Sequence, residues 1–131
     1  MKGFLAPGFT ALVILFAASL AFGESDAEQR HPDVIDVSVS AAGDDRFTFR
    51  VTVSSPYDTP QRYADAFRVM TDEGDTLGVR ELLHDHASEQ PFTRSLSGVT
   101  IAPDITRVVV QGRDQTYGYG GQTMTVSLPG R

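Results

Sequence analysis

The chain of 131 residues contains no cysteine and no tryptophan, and its single lysine is Lys2. Without thiols there is no disulfide, no thiolate metal centre and no cysteine nucleophile, and lipid cannot be attached through sulfur. Stability must therefore come from packing. Beyond residue 23 the only fixed cations are ten arginines, set against seventeen carboxylates, a net charge near −7. A partner built on a phosphate backbone demands a basic face, so nucleic acid is not expected. Sustained helical periodicity is also missing, since no window of about twelve residues keeps apolar positions on a 3.6-residue repeat.

The long apolar run that does occur lies at the start. Lys2 gives a positive beginning, residues 10–20 (TALVILFAASL) form an apolar core, and Ala21-Phe22-Gly23 places small residues where a signal peptidase inspects them. Residues 1–23 are thus expected to be a signal peptide, with cleavage after Gly23. An uncleaved anchor is the rival, because residues 4–22 are nearly long enough to span a bilayer, but Pro7 and Gly8 interrupt that run. The remaining 108 residues, 24–131, are expected in the periplasm or secreted, without a stable membrane anchor. That length can bury a core without cross-links.

Residues 24–32 (ESDAEQRHP) are polar and aperiodic and read as a flexible leader. Period two begins after them. Ile35, Val37 and Val39 alternate with polar residues, as do Phe47, Phe49, Val51 and Val53, and residues 41–45 (AAGDD) carry hairpin chemistry. A third strand, residues 63–70, sets Tyr63, Asp65, Phe67 and Val69 on one face. The fourth starts at Thr76 and includes Leu77, Val79 and Leu82. The fifth runs from Phe92 toward Ile101, with Gly98 marking a bulge. Val108 to Val110 forms the sixth, and Met124, Val126 and Leu128 the seventh. Seven short strands with regular turns predict an all-β domain over residues 33–129: a seven-stranded antiparallel β-sandwich, immunoglobulin-like or fibronectin-type-III-like, with a small closed barrel as the alternative.

Consecutive antiparallel strands sort their connections onto two ends. The longer ones fall together: the stretch before the first strand, then residues 54–62, 84–90 and 113–121. This end gathers all three histidines, His31, His84 and His86. In an extended His84-Asp85-His86 both rings face one side, where copper(II) or zinc takes two nitrogens, with Glu89, Asp85, Asp58 or Asp114 supplying oxygen. A solvated polar turn is the plainer reading. Tyr117-Gly118-Tyr119-Gly120-Gly121 and Tyr57, between Pro56 and Pro60, offer rigid aromatic contact area on loops, while a hairpin folded back onto the rim explains them equally. Asp72, Glu73 and Asp75 do not have the spacing of a calcium loop. No nucleophile elbow surrounds Ser88, so hydrolysis by a serine triad is not expected. Asp65, beside Phe67, needs a partner if buried, and Arg94 or Arg107 is the expected one.

The block from Leu82 to Leu96, LLHDHASEQPFTRSL, together with Tyr63-Ala64-Asp65-Ala66-Phe67 and Gly118-Tyr119-Gly120-Gly121, resembles a group of short secreted bacterial β-sandwich proteins of unassigned function. The group shares an HxHxxEQPFTRSL-like block, and the similarity covers most of residues 32–129. Asp85 stands where such relatives often carry proline, so a rigid His-Pro-His geometry does not transfer. The resemblance implies an exported sandwich and no reaction. Two functions are expected on these grounds. One is an exported, non-enzymatic module presenting His84, His86, Glu89 and His31 to a transition metal. The other is a metal-free interaction domain that uses Tyr57, Tyr117 and Tyr119 to hold a protein or cell-surface component. A metal-assisted hydrolysis would need an open coordination position at the first.

Overall fold

The computed structural model describes residues 28–131. The expected signal peptide, residues 1–23, lies outside the described residues. Seven strands run in order: β1 (Asp33–Ala41), β2 (Arg46–Ser54), β3 (Ala64–Met70), β4 (Thr76–Glu81), β5 (Phe92–Thr100), β6 (Arg107–Asp114) and β7 (Gly118–Ser127). Among the described residues there is no helix. One sheet has the order β1-β2-β5 and the other β4-β3-β6-β7, and every paired neighbour is antiparallel.

Alternation explains which side chains meet between the sheets. Phe47, Phe49, Val51 and Val53 of β2 face Phe67 and Val69 of β3, Phe92 and Val99 of β5, and Val108 and Val110 of β6, with Ile101 and Leu128 completing the buried cluster. Because every second residue points inward, a one-residue insertion reverses the facing of every later side chain in its strand. Three insertions matter. In β1 the register slips between Val34 and Asp36, so Val34 is buried while Ile35 is turned out to solvent. In β3 it slips between Ala64 and Ala66, which removes Asp65 from the face that buries Phe67 and Val69. In β5 the slip falls between Leu96 and Val99, at the expected Gly98, whose φ is 67°.

Asp65 accordingly lies outside the core and pairs with Arg113, a residue that the parity of β3 against β6 brings beside it. Arg94 and Arg107, the partners expected from sequence, pair instead with Glu89 and Asp72.

The last residues of the expected leader also have a place. Arg62 Nη2 donates to the Gln29 carbonyl at 2.6 Å, and Gln29 Nε2 donates to the His31 carbonyl at 2.9 Å. Pro32 crosses β6 where Gly112 leaves room, since a Cβ there would stand 2.6 Å from Pro32 Cγ. The neighbouring Gly120 and Gly121 of β7 clear His31 and the Pro32 carbonyl in the same way. Residues 28–32 are thus packed on the domain, because a notch of missing side chains accepts them.

These glycines yield a stability test by urea denaturation and limited proteolysis. Gly98→Ala meets open space but a left-handed backbone, and is expected to cost about 1 kcal/mol with the lead-in segment still protected. Gly112→Ala must displace Pro32, so it is expected to destabilise by about 1–3 kcal/mol and to open residues 28–33 to cleavage. Equal protection of that segment in both variants would contradict the notch.

Candidate functional site

The lead-in and the connections 55–63, 82–91 and 115–117 share one end, the last of them only three residues long, and two buried carboxylates tie them together. Asp114, at the end of β6, has no solvent-exposed surface. Such a charge is tolerated only when donors surround it. Tyr57 Oη donates to it at 2.7 Å, the Thr116 and Tyr117 backbone N–H groups at 2.9 Å each, and Arg62 Nε lies 3.3 Å away. Burial alone would raise its pKa; the Tyr57 hydroxyl, the two N–H groups and Arg62 outweigh this and hold the carboxyl below the usual range. The same contact acts on Tyr57, whose phenol is pushed well up, first by burial and then by the Asp114 carboxylate. Asp58, on the same connection as Tyr57, ties in the one that carries His86, accepting from Ala64 N and His86 N at 3.0 Å each. Neither carboxylate is left to serve a metal as the sequence suggests. Their oxygens are spent on backbone and side-chain donors of the rim itself.

The aromatic candidates divide. Tyr57 is tied down through its hydroxyl and lies under Arg62, whose guanidinium carbon stands 4.1 Å from the ring centroid. Its hydroxyl and one ring face are thus engaged within the rim. Tyr117 is 43% exposed between Arg30 and Arg62, at 5.3 and 5.0 Å. Tyr119 is not on a loop. Only residues 115–117 connect β6 to β7, so the Tyr-Gly stretch from Gly118 onward is strand, and its glycines serve the Pro32 notch. Tyr119 projects from the outer face of the four-stranded sheet with Arg68 over its ring at 4.1 Å.

The histidines divide as well. His31 Nδ1 is 3.0 Å from the Gly118 carbonyl, and the ring packs beside Tyr117 and Gly120. His84 and His86 stand together, ring centroids 4.9 Å apart, and His86 stacks on Phe92 at 4.0 Å. Glu89 is engaged by Arg94 Nη2 at 2.8 Å, which holds its carboxyl below the ordinary range. Among the described residues no three histidine, aspartate or glutamate side chains are grouped as metal ligands. His84 and His86 bring two nitrogens, and the pocket they line also contains the guanidinium residues Arg80 and Arg94. Burial first, then Arg94 and His84, depress the His86 pKa.

Two adjoining concavities lie to the side of this rim. The larger, about 390 Å³, lies on the outer face of the four-stranded sheet and is lined by Tyr63, Asp65, Val79, Leu83, Arg113 and Tyr119 among others. The smaller, about 160 Å³, lies at the seam of β4 and β5; Glu81, Leu82 and Leu83 border both. Leu83 is 80% exposed and Val79 43%. Sequence reasoning missed the outer-face cavity because the β3 slip that delivers Asp65 to it carries no glycine signal.

A protein of Halomicrobium mukohataei described as "Putative lipoprotein" is 46% identical to this chain over 102 residues, 78% of this chain and 50% of that protein. The chain thus spans about half the length of this relative. No family model matches the chain, and no solved structure matches it.

Two titrations are expected in the stability of the fold. The depressed His86 pKa means that its contribution is present above the unfolded value of 6.5 and is lost as pH falls toward the lower folded value. Asp114 contributes above about 3.9, and that contribution is lost as pH falls through its depressed folded value. Chemical denaturation against pH should show both declines, and His86→Phe should abolish only the first. Asp114→Ala, which strands Arg62 and Tyr57, should cost about 3–5 kcal/mol at neutral pH. A loss under about 1 kcal/mol would show that the rim does not depend on this carboxylate.

Proposed function

We propose that the chain is an exported, non-enzymatic binding module of the cell envelope, fibronectin-type-III-like in build, that holds a protein or cell-surface component against the outer face of its four-stranded sheet. The strand order supports the build. In an immunoglobulin constant domain the fourth strand joins the sheet of the first, second and fifth, whereas here β4 pairs with β3. Export is supported by the leading apolar segment and by the description of the Halomicrobium mukohataei relative as a lipoprotein.

One observation carries the binding surface. Leu83 and Val79, two of the most exposed large apolar side chains, border a single cavity with Tyr63, Tyr119 and the Asp65–Arg113 pair. Apolar groups scattered singly need no explanation, but apolar and aromatic groups around a concavity with a charged pair have the make-up of an interface centre. Of the tyrosines read from sequence, Tyr119 belongs to this surface. Tyr117 flanks the rim.

The test is site-specific photocrosslinking in the producing cell. A crosslinking residue at Leu83 is expected to give a discrete adduct that Tyr119→Ala abolishes without lowering the melting temperature, while the same residue at exposed Ile35 of the other sheet gives none. Adducts of equal yield from both positions, or none from Leu83, would refute the assignment.

A further inference from the structure

The smaller concavity is lined by guanidiniums from opposite sheets: Arg80 from edge strand β4 and Arg94 from edge strand β5. Each is fixed by backbone carbonyls before any ligand arrives. Arg80 Nη1 donates to the Ser95 carbonyl at 2.7 Å and Nε to the Glu81 carbonyl at 3.2 Å; Arg94 Nη1 donates to the Thr93 carbonyl at 2.7 Å. A guanidinium has five N–H donors, so these bonds, with that to Glu89, leave donors on both. Among the described residues Arg80 has no carboxylate partner.

The imidazoles point to the same chemistry. His86 is only 5% exposed, and its Nδ1 is buried without any partner. A buried unpaired N–H is the rarer and costlier defect, so the lone pair belongs on Nδ1 and the proton on Nε2. That tautomer makes His86 a donor at its other nitrogen and denies a metal its lone pair there. His84 stands beside His86 with ring centroids 4.9 Å apart, its Nδ1 2.9 Å from the Asp85 carbonyl.

We propose that the β4–β5 seam is an oxyanion-binding site, with Arg80 and Arg94 as its cationic jaws, His86 as a further donor and His84 beside it on the lining, sized for one phosphate, sulfate or carboxylate group. In a domain with an excess of carboxylates, two arginines and two of three histidines line one pocket of about 160 Å³. Glu81 borders it and Glu89 occupies one donor of Arg94, so a ligand shares the Arg94 guanidinium with the exposed Glu89 carboxylate. The site goes beyond the binding face described above and stands or falls separately from it.

The experiment is an NMR titration of the histidine ring resonances with inorganic phosphate at low ionic strength, repeated with dextran sulfate for a polymer-borne group and with zinc. Phosphate is expected to shift His84 and His86 saturably and leave His31 in place, and Arg80→Gln or Arg94→Gln to weaken binding about tenfold. Arg107→Gln, at the other end of the sandwich, should change nothing. Tighter binding of dextran sulfate than of phosphate would support the site and assign it to a polymer; tighter phosphate would support it as a site for the free ion. If Arg94→Gln lowers the melting temperature, Arg80→Gln alone decides. Phosphate shifts that survive Arg80→Gln, or zinc bound at both rings where phosphate is not, would overturn the proposal.

Discussion

A buried carboxylate, Asp114, organises the end of this sandwich where the longer connections meet. Four donors converge on it, one from the connection after β2, one from Arg62 ahead of β3, and two from the backbone turn into β7. Arg62 extends the tie to Gln29 and Glu28, so one charge links three chain segments. Asp58 links the remaining connection through His86 N. Desolvating carboxylates is costly, and the cost is offset only while all donors stay in place, which makes the rim cooperative rather than a set of independent loops.

That constraint engages most of the polar chemistry at the rim. Tyr57, Asp58, Asp114 and His31 have chemistry that looks available in sequence, but each is consumed by holding the end closed. What remains free lies to the side, along β4. Edge strands need cover or charge to avoid indiscriminate pairing, and β4 carries Arg80 and Glu81 beside exposed Val79. The two concavities meet there, one setting exposed Leu83 and Val79 beside tyrosines and the Asp65–Arg113 pair, the other lined by arginine and histidine.

Much of the fold is legible in the sequence, because period-two alternation is a direct image of a two-faced sheet. Phe47, Phe49, Val51 and Val53 all point inward as their spacing implies, Gly98 marks a real bulge, and strand parity brings the longer connections to one end. The failures have a common cause. At Ile35 and Asp65 the register slips without a glycine to announce it, so spacing alone assigns both residues to the wrong face. In the Tyr-Gly stretch the glycine signal is present but its meaning is not. The backbone that approaches Gly112, Gly120 and Gly121 is the chain's own lead-in at His31 and Pro32. The same packing fixes residues expected to be flexible, and separates His31 from His84 and His86. Spacing reports which face a residue occupies; it does not report which neighbour has already claimed it.

Asp114, on this account, locks the rim into the cooperative unit of the core. Native-state hydrogen exchange of the Thr116 and Tyr117 amides tests that lock most directly, since turn amides of an ordinary hairpin exchange through local fraying. Bonded to a buried carboxylate, these two should exchange only through global unfolding, with the same denaturant dependence as Phe67 and Val110. Exchange of Thr116 and Tyr117 by a denaturant-independent local opening, while the core amides stay protected, would contradict it.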